Sequence, residues 1–270
     1  FYPEFNGKRV VPASGQTTFW QPCFTALNLA EELAKNVINK LDTTAKNKNS
    51  SKNPRNSTVS LGVNDAGGFC TCKNCQKVNG NTLNYTGNIS ASSSYLALIN
   101  KVANIVTTQY PNCKLPFLAY SSVAEIPPHF GKLNPRLIPE IAYDSMYTAD
   151  DKLKNNFRRV FNSWGKSLDE LALGDYVYGK YFLLPRTNFK TIHEQVTWAY
   201  KHKARHYYGE SYPGNDWAEG PKLYLLIKLL WNPLANKDAI LKEWYTCCVG
   251  KKAAPYLEKY FTNLEKFWTQ

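Results

Sequence analysis

Nowhere in this chain do eighteen or so apolar residues run together, and a helix needs about that many to cross a hydrocarbon core, so no membrane span is expected. The start, Phe1-Tyr2-Pro3-Glu4, lacks a basic-then-apolar signal pattern, so the chain reads as soluble with any targeting peptide already absent. No nucleophile elbow of the serine hydrolases occurs, and no phosphate-binding loop; Gly67-Gly68 alone does not make one. Histidine is scarce: His129, His193 and His202 show no ligand spacing, and an expected helix-to-strand change separates His202 from His206. No catalytic metal and no cofactor are therefore expected. The lysine-rich tract from Lys40 to Arg55 contains no aromatic residue that would stack on bases, so it reads as a solvated loop and no nucleic-acid partner is expected.

What is present is a globular composition. The 270 residues are 43% apolar and 14% aromatic, enough for a full core in one domain spanning 1–270. The formal charge is +12 and the isoelectric point about 9.2. Such a field attracts phosphates, anionic lipids or acidic polysaccharides without choosing among them. Four glycosylation sequons, at Asn49, Asn56, Asn84 and Asn88, cluster in polar loops beside the first clear strand and point to a secreted, extracellular glycoprotein. Seven cysteines (23, 70, 72, 75, 113, 247, 248) fit an oxidised compartment with one thiol left over. Cys23, Cys70, Cys72 and Cys75 are the disulfide candidates; zinc is the alternative for the same four, since Cys-x-Cys-x-x-Cys supplies three soft donors and Cys23 a fourth. Adjacent Cys247 and Cys248 do not easily bridge to each other in a helix, so each is expected to be buried or paired elsewhere.

The most concentrated stretch is Ser60 to Cys75, where strand-like Thr58–Val63 runs into Asn64-Asp65, a glycine-rich turn and three cysteines. Further strands are expected at 18–24, 115–121, 137–143, 176–182 and 204–208. Helices are expected from Asn28 to Leu41, with Asn28 and Glu31 as a capping pair, and over 92–110, 150–164 and 189–202. A helical tail should occupy 221–231, 237–248 and 254–268. Strands alternating with amphipathic helices argue for a parallel sheet, and repeated single crossovers over this length favour a (β/α) barrel. About six strands are counted, so a TIM-type barrel would lack its first two. An upstream segment or a second chain would then complete it, with 219–270 forming a C-terminal extension.

Pro3-Glu4-Phe5-Asn6-Gly7-Lys8-Arg9, Gln21-Pro22-Cys23 and the block from Val63-Asn64-Asp65 to Cys75 carry a resemblance to a known family. So do Leu118-Ala119-Tyr120 with Pro127-Pro128, Leu184-Pro185, Glu210, Leu229 to Pro233 and Tyr256 to Leu264. Together they resemble the DUF4838 family of mostly bacterial, secreted proteins, across nearly the whole chain. That family looks like the catalytic barrel of α-glucuronidases and related glycoside hydrolases, so the resemblance implies a TIM-type barrel and a carbohydrate substrate, without fixing an activity.

Glycoside hydrolysis uses two carboxyl groups flanking the scissile bond. Glu210, among aromatic neighbours that would desolvate it, is the expected acid, and Asp65 its partner. Asp65 has a second reading as a turn former, because Asn-Asp before Gly-Gly is ordinary turn chemistry. Asp144 and Asp175 also lie at or beside expected strand ends. Asn64, Tyr120, Tyr143, Tyr178, Tyr208 and Trp217 are placed at the same rim, where aromatic faces suit pyranose rings. Arg186, with Lys180, Arg205 and His206, is the candidate fork for a substrate carboxylate or sulfate. The expected partner is a carbohydrate, an acidic polysaccharide above all. The competing function is a non-catalytic glycan-binding or extracellular matrix scaffold on a degenerate barrel.

Overall fold

The computed structural model describes residues 1–46, 57–128, 130–144, 150–178, 184–211 and 219–269. A two-stranded antiparallel hairpin, β1 (Glu4–Phe5) and β2 (Lys8–Arg9), opens the chain. Helices α1 (Leu29–Lys46), α2 (Lys73–Asn79) and α3 (Ser92–Gln109) follow. Next come β3 (Leu115–Ala119), β4 (Leu137–Ala142), α4 (Asp151–Ser167), β5 (Leu171–Tyr176), α5 (Phe189–Lys201) and β6 (Ala204–Glu210). Two helices close it, α6 (Lys222–Trp231) and α7 (Lys237–Thr269). Gly250, at φ 76°, interrupts α7, and Pro255 follows. The fold is therefore α/β, with a parallel sheet in the order β3-β4-β5-β6.

That order follows the sequence without reversal, as in singly wound folds, whereas doubly wound sheets reverse at a switch point. A further extended segment runs parallel beside β3: Thr58 bridges Lys114, Val59 N–H donates to Lys114 O at 3.0 Å and Leu61 N–H to Pro116 O at 2.8 Å. Thr58–Val63 is thus bonded to the sheet edge over part of its length, although it is not a regular strand. Among the described residues the sheet does not close, so the expected TIM-type barrel is not found. Two other expectations need correction. Residues 18–24 are irregular because their backbone groups bond to a facing loop rather than to a sheet. The fifth strand is Leu171–Tyr176, upstream of the expected 176–182, whose last residues lie outside the described ones. Aromatic and β-branched residues favoured the later segment, but full burial of Leu171, Ala172 and Leu173 decides the matter.

The chain forms two compact units, Phe1–Ile141 with Asn162–Leu171, and Ala142–Phe161 with Ala172–Gln270. In the first, α1 packs on α3. The predicted Glu31 cap instead pairs with Lys101 at 2.5 Å. An aromatic row threads this core: Phe24 to Tyr95 at 5.2 Å, Tyr95 to Phe117 at 5.9 Å, and Phe117 to Trp164 at 5.6 Å between ring centres. In the second unit Tyr143 stacks on Phe157 at 4.3 Å, and Phe157 and Phe161 meet Trp198. Phe261 of α7 packs on Phe189 and Tyr245, and Gly220 is needed there because a Cβ would overlap the Phe261 ring.

Candidate functional site

In the first unit the loop after Thr58–Val63 is fastened to residues 19–21 by a dense set of bonds. Gln21, fully buried, is the keystone. Its Nε2 donates to Asn64 O (2.6 Å) and Gly67 O (3.0 Å), and its Oε1 accepts from Asn64 N–H (2.9 Å). Phe19 N–H donates to Asp65 O at 3.0 Å, Gln21 N–H to Gly68 O at 2.9 Å, and Asn64 Nδ2 to Trp20 O at 2.9 Å. Gly68, at φ 74°, must be glycine: a Cβ there would stand 2.5 Å from Trp20 Cα. Two non-glycine residues of this ladder, Phe19 (φ 62°) and Ala66 (φ 66°), hold left-handed backbone. Strain of this kind persists where surrounding bonds over-determine it.

The ladder presents Asp65 to solvent. Its Oδ1 accepts from the Tyr120 hydroxyl and from Ala66 N–H, both at 2.8 Å. Asp65 thus closes its own turn, as the turn reading expected, and its carboxylate is exposed beyond the edge segment Thr58–Val63. Phe19 is 67% exposed, and half-buried Trp20 and Tyr120 flank the same loop. Sequence reasoning missed Phe19 and Gln21, whose roles depend on positive φ and on a loop about forty positions away.

In the second unit the ends of β4, β5 and β6 carry buried charge. Asp144, just past β4, is ion-paired with Arg186, which is 3% exposed. Arg186 also donates to Tyr176 O (2.7 Å) and Tyr178 O (3.2 Å). The guanidinium expected to grip a substrate anion is thus engaged internally. Asp175, the last residue but one of β5, lies at the strand end as expected but is buried, not exposed on a rim. Lys222, 1% exposed, is ion-paired with Glu219 and donates to Arg186 O at 2.8 Å; burial lowers its pKa, against the raising effect of Glu219. The Tyr207 hydroxyl is buried without a hydrogen-bond partner among the described residues; desolvation, and then Asp175, push its pKa up. Glu210 ends β6 half-buried, its carbonyl accepting from Val177 N–H at 3.0 Å. Tyr143 is buried on Phe157, Tyr178 is half-buried and Tyr208 is 48% exposed; Trp217 and Lys180 lie outside the described residues. A cavity of about 400 Å³ lies beside the start of β6, where exposed Arg205 sits 4.9 Å over the Tyr200 ring next to His206 and Trp231, itself 91% exposed.

The sequons differ. Asn84 is half-buried and its Nδ2 donates to Ser121 O at 2.5 Å, whereas Asn88 is exposed; Asn49 and Asn56 lie outside the described residues.

The cysteine cluster completes the first unit. All seven cysteines are free, so the disulfides expected of Cys23, Cys70, Cys72 and Cys75 are absent. Their sulfurs nonetheless converge within 4.8 Å, with Cys23 Sγ 3.7 Å from both Cys72 and Cys75. A bond would require about 2.05 Å. The four residues for which zinc was the alternative thus form a set able to hold one ion. Burial raises the Cys23 thiol, but hydrogen bonds from Arg9 and Thr25 outweigh it and bring the pKa to about 6; burial pushes Cys75 up to about 12. Cys247 and Cys248, expected to be buried or paired, are exposed and unpaired on α7.

A family model described as a domain of unknown function (DUF4838) matches residues 1–262, and the chain belongs to that family. No curated protein and no solved structure matches it.

Proposed function

We propose that this DUF4838 protein is a secreted glycan-binding protein on a glycoside-hydrolase-like, singly wound α/β scaffold, and that the Asp65 loop is its saccharide contact. The observation that carries this is the ladder of Gln21, Asn64 and Gly68, which holds an exposed carboxylate, its Tyr120 partner and the exposed Phe19 ring on strained backbone at a strand end. Carboxylates accept sugar hydroxyls, and aromatic faces suit the apolar faces of pyranoses. The +12 charge favours an acidic polysaccharide. Sequential strand order supports the kinship to barrel hydrolases that the sequence suggests. Exposed Asn88 is the better glycan acceptor of the two described sequons.

A second reading places the anion-holding contact at the Arg205, Tyr200 and Trp231 cavity, because it joins an exposed cation to an exposed indole. Binding to arrays of uronic-acid and neutral oligosaccharides separates the two. Asp65→Asn should weaken binding about tenfold, the size of one charge-assisted hydrogen bond, while Arg205→Ala leaves it unchanged. The reverse pattern moves the site to the second unit. Turnover of aryl glycosides, abolished by both Glu210→Gln and Asp65→Asn, would replace binding with hydrolysis.

A further inference from the structure

We propose that Cys23, Cys70, Cys72 and Cys75 hold one zinc ion in tetrahedral coordination, as a structural site. The argument begins with distance. Zinc–thiolate bonds of about 2.3 Å in a regular tetrahedron place neighbouring sulfurs about 3.8 Å apart. Cys23 stands 3.7 Å from both Cys72 and Cys75, and all four sulfurs fit within 4.8 Å. This spacing is too long for a disulfide and matches the span of one ion. It is also too tight for cysteines spread around the several irons of an iron–sulfur cluster.

Chemistry agrees with distance. Four thiols face one another, three of them buried, and soft thiolate donors select zinc over calcium or magnesium. As the ion binds, each thiol gives its proton to solvent, so the site carries two net negative charges. The surroundings suit that charge. Glu4 N–H points to Cys70 Sγ at 3.2 Å, the Thr25 hydroxyl lies 3.2 Å from Cys75 Sγ, and Arg9 Nη1 stands 3.8 Å from Cys70 Sγ. Such outer contacts orient ligands and offset their charge. A solvent-open cavity lined by Phe1, Arg9, Cys23, Thr25, Cys72 and Asn74 gives the ion a way in.

Four protein ligands leave no open coordination position, which marks a structural rather than a catalytic site. The site draws three segments together: Cys23 N–H donates to Phe1 O, Thr71 N–H to Glu4 O, and Cys72 is the N-cap of α2. Gln21 and Gly68 each stand two positions before a ligand, so the ion also anchors both sides of the Asp65 ladder.

The test uses the full chain with Cys247→Ser and Cys248→Ser, so that the exposed thiols cannot capture metal. After zinc loading and dialysis against a chelator, mass spectrometry should find about one zinc per chain. Cys75→Ser should reduce this to below about a tenth, and Cys113→Ser, which alters a cysteine outside the cluster, should not change it. Should Cys75→Ser fail to fold, cobalt titration of the parent chain provides the independent readout, with charge-transfer absorption of four-thiolate intensity expected. Absence of metal after loading, iron in place of zinc, cobalt spectra of two or fewer thiolates, or a mapped disulfide among the four cysteines would each overturn the assignment.

Discussion

The two units of this chain fix their polar interiors in opposite ways. The second carries its own counter-charges: Asp144 meets Arg186 and Glu219 meets Lys222, both cations buried and both carboxylates partly so. In the first, four thiols of one chemical kind converge with Arg9 at their edge, and the cation proposed for them would come from outside the chain. A buried ion pair completes itself on folding, whereas a thiol cluster ties stability to an ion's availability. One unit is autonomous in charge and the other conditional.

The sharpest way to break this contrast is to remove one internal counter-charge. Lys222→Met leaves Glu219 and the Arg186 carbonyl without their partner, and should cost about 3–5 kcal/mol in denaturant unfolding. Adding Glu219→Leu should restore most of it; a single variant within about 1 kcal/mol of the parent would show that the unit does not depend on the pair. Next in size is Gly68→Ala in the first unit. It sets a Cβ against the Phe19–Trp20 backbone at a positive φ and should cost about 2–4 kcal/mol. Saccharide binding should fall with it, whereas Lys222→Met with Glu219→Leu should leave binding intact.

A pH titration compares the units at finer scale. Burial raises the pKa of Tyr95 in the first and Tyr207 in the second. Unfolded tyrosines ionise at about pH 10, so the stability these groups contribute is complete below that pH and declines as pH rises toward their folded values. Phenolate absorbance from the buried tyrosines should therefore appear together with loss of circular dichroism, not before it. The smallest expected effect is Tyr120→Phe. It removes one hydrogen bond from an exposed carboxylate and should change stability by less than about 0.5 kcal/mol while weakening saccharide binding a few-fold.

Much of the helical framework was legible. The helices expected from Asn28 to Leu41, over 92–110 and over 189–202 each match a helix to within a few residues. Leu115 and Leu137 likewise marked true strand starts. What failed was local preference acting alone. Leu171-Ala-Leu-Gly-Asp-Tyr has little β-propensity and becomes a strand through burial, while residues 18–24, rich in aromatics, are held by Gln21 and Gly68 instead of a sheet. At the sites, the residue types of the cysteine block were informative, but spacing did not separate disulfide from metal, because that choice rests on sulfur–sulfur distance. The roles of Arg186 and Asp175 depended on burial that no charge pattern discloses.

The unreversed strand order has a consequence for how the chain is made. Each of β4, β5 and β6 pairs with the strand synthesised just before it, so every crossover closes a short loop. Folding can advance in step with emergence from the ribosome, each new strand docking on a finished edge. Cys23 is an exception: it must wait until Cys70, Cys72 and Cys75 have been added, so the β1–β2 hairpin, although synthesised before them, is secured only once they are in place.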